Sequence, residues 1–143
     1  MSNSDLKDYL ARNIDVDIKI LDELFAGKII NLFDIALILI EKHGVDKEKL
    51  GRAWGDYLGF AYVDPNKSIV NKEYIEKIGI SFIEINKVLP LYKLGKAVTF
   101  CASNPTNSSV MEHTQRKLGE LVSIVFCFPF DIKMYLKNNN FIK

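Results

Sequence analysis

The chain has 143 residues, of which 48% are hydrophobic and 26% charged, a composition that favours a folded domain over a disordered segment. Its formal net charge of +1 excludes the strong basic field that would make nucleic acid the default partner. No apolar run reaches the roughly 18 residues of a membrane-spanning helix, and residues 1–5 lack the basic and apolar regions of a signal peptide. We therefore expect a cytoplasmic location, no nucleic-acid partner and no direct membrane insertion.

The first part of the chain carries apolar residues at helical spacing. Two short helices are predicted over residues 5–13 and 15–26, where apolar side chains recur every three or four positions. Gly27 then provides a stop for the second helix. The chain is therefore expected to begin as a helical bundle.

Two further helices are predicted from their capping residues. Asn31 is a good N-cap for a third helix, which contains Leu37 and Ile38 and is apolar nearly all the way round. This third helix is therefore predicted to be the central helix of the bundle. Asp46 is predicted to cap a fourth helix, which runs to about Leu58.

The second part of the chain changes character after Pro65, which forbids helix at the exit from the bundle. A short helix is predicted over 71–78, followed by two strands that flank the hairpin turn at residues 93–96. A helix that ends at Gly119 follows, and then a continuous apolar strand, which is typical of a strand buried on both faces. The predicted strands cover 87–92, 97–102 and 121–128, and the last helix covers 129–138.

These elements predict an α+β fold. A helical N-terminal lobe, residues 1–64, is expected to pack on a small ββαβα lobe, residues 65–143. The helix between the second and third strands makes a crossover connection, which a parallel strand pair requires.

The sequence contains no convincing catalytic, metal or cofactor site. Gly95-Lys96 lacks the preceding glycine and the following Ser or Thr of a phosphate-binding loop, so a hairpin turn is the better interpretation. His43 and His113 lie on different predicted helices, and neither has a second ligand one turn away. Cys101 and Cys127 lie in apolar strand-like runs, where a thiol packs as a small hydrophobic group. We therefore expect no enzymatic activity and no cofactor.

Several segments together resemble a known family. LGRAWGDYLGFAYVD at residues 50–64 is similar to the family's helix and extended exit, VLPLY at 88–92 to its first strand, and KAVTFCASNP at 96–105 to its second strand and turn. The helix and final strand that lead to Pro129-Phe-Asp-Ile complete the order. The sequence over residues 30–136 thus resembles the N-terminal domain of type II secretion and type IV pilus assembly ATPases, the GspE N-terminal domain family.

The resemblance implies a domain that precedes an ATPase motor and docks on an inner-membrane platform or motor protein. One branch of the family instead binds cyclic di-GMP through tandem helical motifs that contain Arg-Leu-Gly. Near the place of that tripeptide this sequence has Ile18-Lys19-Ile20, so weak or no binding of cyclic di-GMP is predicted. If the dinucleotide binds, Arg12 and Arg52 would be its phosphate partners, because arginine pairs with phosphate in a bidentate manner.

Three functional hypotheses follow. The first is a non-catalytic regulatory or docking domain that binds a partner protein, which requires a surface patch and no catalytic constellation. The second is a cyclic di-GMP sensor, which follows from the family analogy. The third is a freestanding adaptor protein that acts without a motor.

Overall fold

The computed structural model describes residues 3–27 and 31–143. The chain divides into two compact units, Met1–Gly59 and Phe60–Lys143. No helix in the described ranges is both long and apolar enough to cross a membrane. The helices are α1 (Asn3–Asn13), α2 (Ile18–Ala26), α3 (Leu32–His43), α4 (Lys47–Leu58), α5 (Lys72–Ile78), α6 (Ile80–Asn86), α7 (Ser108–Leu118) and α8 (Pro129–Asn138), and the strands are β1 (Val88–Leu94), β2 (Ala97–Ala102) and β3 (Leu121–Phe126).

Side-chain caps define the helix starts of the first unit. The Asn31 side chain accepts a hydrogen bond from the Phe33 backbone N–H at 2.9 Å. The Asp46 carboxylate accepts one from the Lys49 backbone N–H at 3.0 Å. Each bond satisfies a donor that the first helical turn leaves without a backbone partner. Both caps that the sequence predicts are therefore confirmed.

Helix α1 packs against both α2 and α4 in the first unit. Leu10 of α1, Leu21 of α2 and Leu50 of α4 are fully buried. Lys7 Nζ also lies 2.9 Å from Asp22 Oδ1, so an ion pair joins α1 to α2. Burial of apolar area drives this packing, and each fully buried leucine contributes about 1.5–3 kcal/mol relative to an exposed one.

Helix α3 does not have the central position that its composition predicts. Ile35, Ala36 and Leu39 are buried, whereas Leu37 and Ile38 are half-buried. One face of α3 therefore lies in the core, and its second apolar face is partly covered. The prediction of a central third helix is wrong, because a central helix would be buried nearly all round, whereas Leu37 and Ile38 are only half-buried.

The second unit contains a three-stranded sheet in the order β1-β2-β3. Strands β1 and β2 are antiparallel and pair from Leu94↔Ala97 to Val88↔Ala102. Strands β2 and β3 are parallel, and α7 forms the connection between them. This arrangement confirms the predicted α+β class and the ββαβα order, with Gly95-Lys96 as the turn of the hairpin.

Strand β3 lies at an edge of the sheet, and the prediction that it is buried on both faces is wrong, because exposed residues alternate with half-buried ones along it. Leu121 is 59% exposed, and Ser123 is exposed as well. Val122, Ile124 and Val125 are half-buried against the core. At the end of the strand, the Phe126 backbone N–H donates to the Ala61 carbonyl, and the Phe126 carbonyl accepts from the Val63 N–H. The central strand is β2, because it has a hydrogen-bonded neighbour on both sides.

The sequence interpretation missed helix α6. Gly79 separates α5 from α6 with φ 91° and ψ 142°, a backbone conformation that is open to glycine. The glycine ends α5, and the isoleucines that follow it favour strand over helix in an isolated segment. Helix α6 forms despite this low propensity because Ile83 is fully buried in the core of the second unit.

Candidate functional site

The first unit contains a cavity of about 600 Å³ between α1 and the end of α4. Arg12, one of the two arginines predicted as phosphate partners, lies in this cavity. The residues that line it are Asp5, Asp8, Tyr9, Ala11, Arg12 and Tyr57. We call it the α1–α4 cavity.

The periodicity of α1 brings the charged residues of the cavity together. Asp5, Asp8 and Arg12 are separated by three and four positions, which places them on one side of the helix. Tyr9 and Tyr57 contribute aromatic rings whose centroids lie 5.6 Å apart at 54°. The cavity therefore combines two carboxylates, one guanidinium and two phenol rings.

Two groups in the cavity have unused hydrogen-bonding capacity. The Tyr57 hydroxyl is buried and has no hydrogen-bond partner in the described part of the chain. A buried polar group without a partner costs about 1–3 kcal/mol. Arg12 is exposed, and it forms no ion pair within residues 3–27 and 31–143. The cavity therefore offers one buried hydroxyl and one guanidinium to a binding partner, beside two carboxylates.

The second arginine, Arg52, lies outside the cavity. Its side chain is 70% exposed, and its guanidinium lies 2.9 Å from the Glu48 carboxylate one turn earlier on α4. Arg52 does not line the cavity that contains Arg12. The structure therefore places the two predicted phosphate partners in different surroundings and does not bring them together at one site.

The segment Ile18-Lys19-Ile20 forms the first turn of α2. Asp17 caps this turn, and its side chain accepts a hydrogen bond from the Lys19 backbone N–H at 2.9 Å. Ile18 is 47% exposed. A carboxylate thus occupies the start of the helix, which is the position where an anionic ligand would find free backbone donors.

The cysteines are buried in the second unit, as the sequence predicts. Burial raises the pKa of the Cys127 thiol well above its usual value, and a hydrogen bond with Cys101 adds to the increase. The thiolate is the reactive form of cysteine, so the Cys127 thiol is a poor nucleophile at neutral pH. His43 and His113 are exposed and belong to different units.

A second concave surface lies between α6 and α7 in the second unit. Its volume is about 350 Å³, and we call it the α6–α7 groove. The Lys117 ammonium lies 5.3 Å from the centroid of the Phe82 ring. The sequence interpretation missed this groove because it missed α6, although the spacing of three basic residues on α7 offered a signal. The residues that line the groove are Phe82, His113, Arg116 and Lys117.

The described residues contain no group of three or more His, Cys, Asp or Glu side chains that is arranged to hold a metal ion. What the two surfaces offer is charge, aromatic rings and hydrogen-bonding groups. These features suit the binding of a partner or an anionic ligand.

Comparison with known proteins gives a family and a fold. Residues 58–139 match the family model of the MshEN domain. The chain is similar to the structure of MshE with cdg, at 16% identity over 93% of this chain and 96% of that chain, with a TM-score of 0.64. Two crystal forms of the N-terminal domain of XpsE are also similar. The first has 10% identity over 94% of this chain and 92% of that chain, with a TM-score of 0.58. The second has 14% identity over 96% and 95%, with a TM-score of 0.54.

At these identities the likeness to solved structures shows the fold, and the match to the family model covers most of the second unit. No curated protein sequence matches the chain significantly. The α1–α4 cavity lies outside the matched residues, since the residues that line it fall between 5 and 57.

Proposed function

Because the chain belongs to the MshEN domain family, the N-terminal domain of type II secretion and type IV pilus assembly ATPases, we propose that it is a regulatory and docking domain. Its partner in this proposal is an inner-membrane platform or motor protein of such a system. The MshEN domain precedes the catalytic domain of these ATPases and is not that domain itself. We propose accordingly that this chain does not catalyse a reaction and acts in the cytoplasm.

The charge around Arg12 is the observation that carries the docking proposal. Asp8 lies one turn from Arg12 and Asp5 lies two turns away, and all three line the same cavity. A dinucleotide with two phosphates needs cationic or amide donors for both, and two carboxylates oppose its approach. Mixed charges suit a protein surface, where complementary patterns of both signs set the register of the complex.

Arg52 supports the same proposal. Its guanidinium is already paired with Glu48 at 2.9 Å, so binding a phosphate would require exchange of that partner. Because the exposed ion pair is weak, this exchange costs little free energy. The larger obstacle is position, because Arg52 does not line the cavity of Arg12.

A cyclic di-GMP sensor is the second candidate, and Tyr57 is the observation that favours it. Its buried hydroxyl lacks a partner in the described residues, and its ring packs beside that of Tyr9, so the cavity contains the aromatic surface that a base requires. The cavity volume of about 600 Å³ is within the range of small-molecule sites. The similar structure of MshE contains cdg, the abbreviation of cyclic di-GMP.

Isothermal titration of cyclic di-GMP into the purified chain at physiological salt distinguishes the two candidates. We expect weak or no binding. The variant Arg12→Ala tests the cavity, and Arg52→Ala is the matched control outside it. Micromolar or tighter binding that Arg12→Ala abolishes would overturn the docking proposal in favour of the sensor.

A pull-down tests docking directly. The tagged chain is incubated with the purified cytoplasmic part of an inner-membrane platform or motor protein from the same genome. We expect stable capture. Failure to capture either protein at micromolar concentrations would contradict the docking proposal and favour a freestanding adaptor with other partners.

A further inference from the structure

The two units of the chain differ in charge. Residues 60–143 contain eleven Lys and Arg and seven Asp and Glu, a formal net charge of +4. Residues 1–59 contain eight basic and eleven acidic residues, a net charge of −3. The overall charge of +1 therefore conceals a basic second unit, and a basic surface attracts acidic partners at long range.

The α6–α7 groove concentrates part of this basic charge beside an aromatic ring. His113, Arg116 and Lys117 are separated by three positions and one, so they share one face of α7. All three side chains are exposed. The acidic neighbour on the helix is Glu112, whose carboxylate lies 3.8 Å from Arg116 with both side chains about 70% exposed. Such a long, exposed pair leaves most of the arginine charge available.

Phe82 gives the groove an apolar floor. It is half-buried on α6, and the Lys117 ammonium lies over its ring at 5.3 Å. The cation–π contact holds the ammonium near the ring, while the Lys117 side chain remains exposed. Ile85, one turn further along α6, is 76% exposed and extends the apolar surface of that helix.

We propose that the α6–α7 groove is the docking surface for an acidic segment of the partner protein, with one aromatic or large apolar side chain placed against Phe82. This inference rests on the proposed docking function. Carboxylates of the segment pair with Arg116 and Lys117, and arginine gives the more directional contact because its guanidinium binds a carboxylate through two parallel hydrogen bonds. The apolar side chain removes the ring of Phe82 from water.

The probe is a fluorescein-labelled synthetic peptide in which one phenylalanine is flanked on both sides by glutamates. The control peptide has glutamine in place of every glutamate. Fluorescence anisotropy with the full chain should show binding of the acidic peptide, with an affinity that falls as salt is raised. The double variant Arg116→Glu/Lys117→Glu should weaken binding by about tenfold or more, and Phe82→Ala by about threefold.

The matched control reverses two charges elsewhere in the second unit. Lys133→Glu/Lys137→Glu on α8 changes the net charge by the same amount at two exposed positions. It should leave peptide affinity within about twofold of wild type. If both double variants weaken peptide binding equally, net charge alone explains the effect and the inference is wrong. Thermal unfolding followed by circular dichroism verifies that each variant is folded.

Separate outcomes decide the inference and the proposed function. If the platform or motor protein binds wild type and the Arg116→Glu/Lys117→Glu variant equally well, the groove inference is wrong and the docking function stands. If that protein binds neither, docking fails while the peptide titration still decides the groove. Two further outcomes would overturn the proposal of an acidic partner segment. One is that the wild type dimerises and this variant does not. The other is that the wild type binds phosphatidylglycerol vesicles but not the peptide.

Discussion

Lys93 Nζ lies 2.7 Å from Glu120 Oε1, and this ion pair spans the central strand of the sheet. Lys93 belongs to β1, whereas Glu120 precedes β3, so the pair joins the two strands that flank β2. The hydrogen bond from Lys93 lowers the pKa of Glu120, and the same bond raises the pKa of Lys93.

The pair predicts a small pH-dependent contribution to the stability of the second unit. The contribution of Glu120 is present above the ordinary glutamate pKa of about 4.3 and is lost as the pH falls through the lowered folded-state value. That of Lys93 is present below its ordinary pKa and is lost as the pH rises through the raised value. Glu120→Gln should lower the thermal midpoint by at most about 3 °C near pH 7.

Differential scanning calorimetry at several pH values measures this effect. The difference between wild type and Glu120→Gln should shrink as the pH falls through the lowered folded-state pKa of Glu120, below which both forms lack the charge. Glu112→Gln is the control, because its pair with Arg116 is long and exposed. A midpoint difference that is constant from pH 3 to pH 7 would assign the effect to packing instead of charge.

Helix α3 supplies a second prediction, from two leucines with different burial. Leu39 is fully buried, whereas Leu37 is half-buried. Leu39→Asp should abolish cooperative unfolding of the first unit, since an unpaired carboxylate in the core costs several kcal/mol. Leu37→Asp should leave the unit folded, with a free energy of unfolding lower by about 1–2 kcal/mol.

Trp54 fluorescence is a specific reporter for this comparison. It is the single tryptophan of the sequence, it is buried, and its ring stacks on Phe33 of α3 at 5.5 Å. Urea unfolding monitored at this residue therefore reports on the first unit. Equal midpoints for the two variants would show that both faces of α3 are equally buried.

The sequence predicts a structural feature of this chain correctly where the interacting residues lie close together along the chain. The caps at Asn31 and Asp46 involve backbone groups two or three positions away, so the sequence contains the whole interaction. Whether both faces of β3 are covered depends on which elements pack on them, which an apolar run of eight residues cannot encode. The predicted strand had the correct start, but its predicted burial was wrong.

The two candidate surfaces show the same limit. Arg12 and Arg52 were predicted as phosphate partners from their residue type alone. Which of the two lines the α1–α4 cavity depends on how α1 packs on α4, and this packing is tertiary structure. Phe82 and Lys117 lie 35 positions apart, so their contact at 5.3 Å requires the tertiary fold. Helix spacing did contain part of the groove, because His113, Arg116 and Lys117 share one face of α7.

A third prediction concerns the two glycines that end α5 and α7. Gly79 has φ 91° and ψ 142°, whereas Gly119 has φ 69° and ψ 21°, in the left-handed helical region. A Cβ atom at either position would meet no heavy atom within 4 Å, so the effect of alanine comes from the backbone. Lys87 already adopts the left-handed region at φ 55° in this chain.

Gly79→Ala should therefore be the more damaging change. We expect it to lower the free energy of unfolding by about 2–3 kcal/mol, against about 1 kcal/mol for Gly119→Ala. Chemical denaturation of both variants, monitored by far-ultraviolet circular dichroism, measures the difference. A smaller loss for Gly79→Ala than for Gly119→Ala would show that the α5–α6 junction relaxes into another conformation.

The fourth prediction is that the two thiols are inert in the folded chain. Cys101 and Cys127 are both fully buried, and burial together with the hydrogen bond between them raises the pKa of Cys127 well above the usual thiol value. A protonated, inaccessible thiol reacts slowly, because both thiolate character and access control the rate. Ellman's reagent at pH 8 should label fewer than about 0.1 thiols per chain within minutes in buffer, and both thiols in concentrated urea.

The Cys127→Ala variant separates the two positions, since its single remaining thiol should be equally protected. Rapid labelling of wild type without denaturant would show that the core between β2 and the start of α8 opens readily, and it would make a redox function of this cysteine pair the better hypothesis.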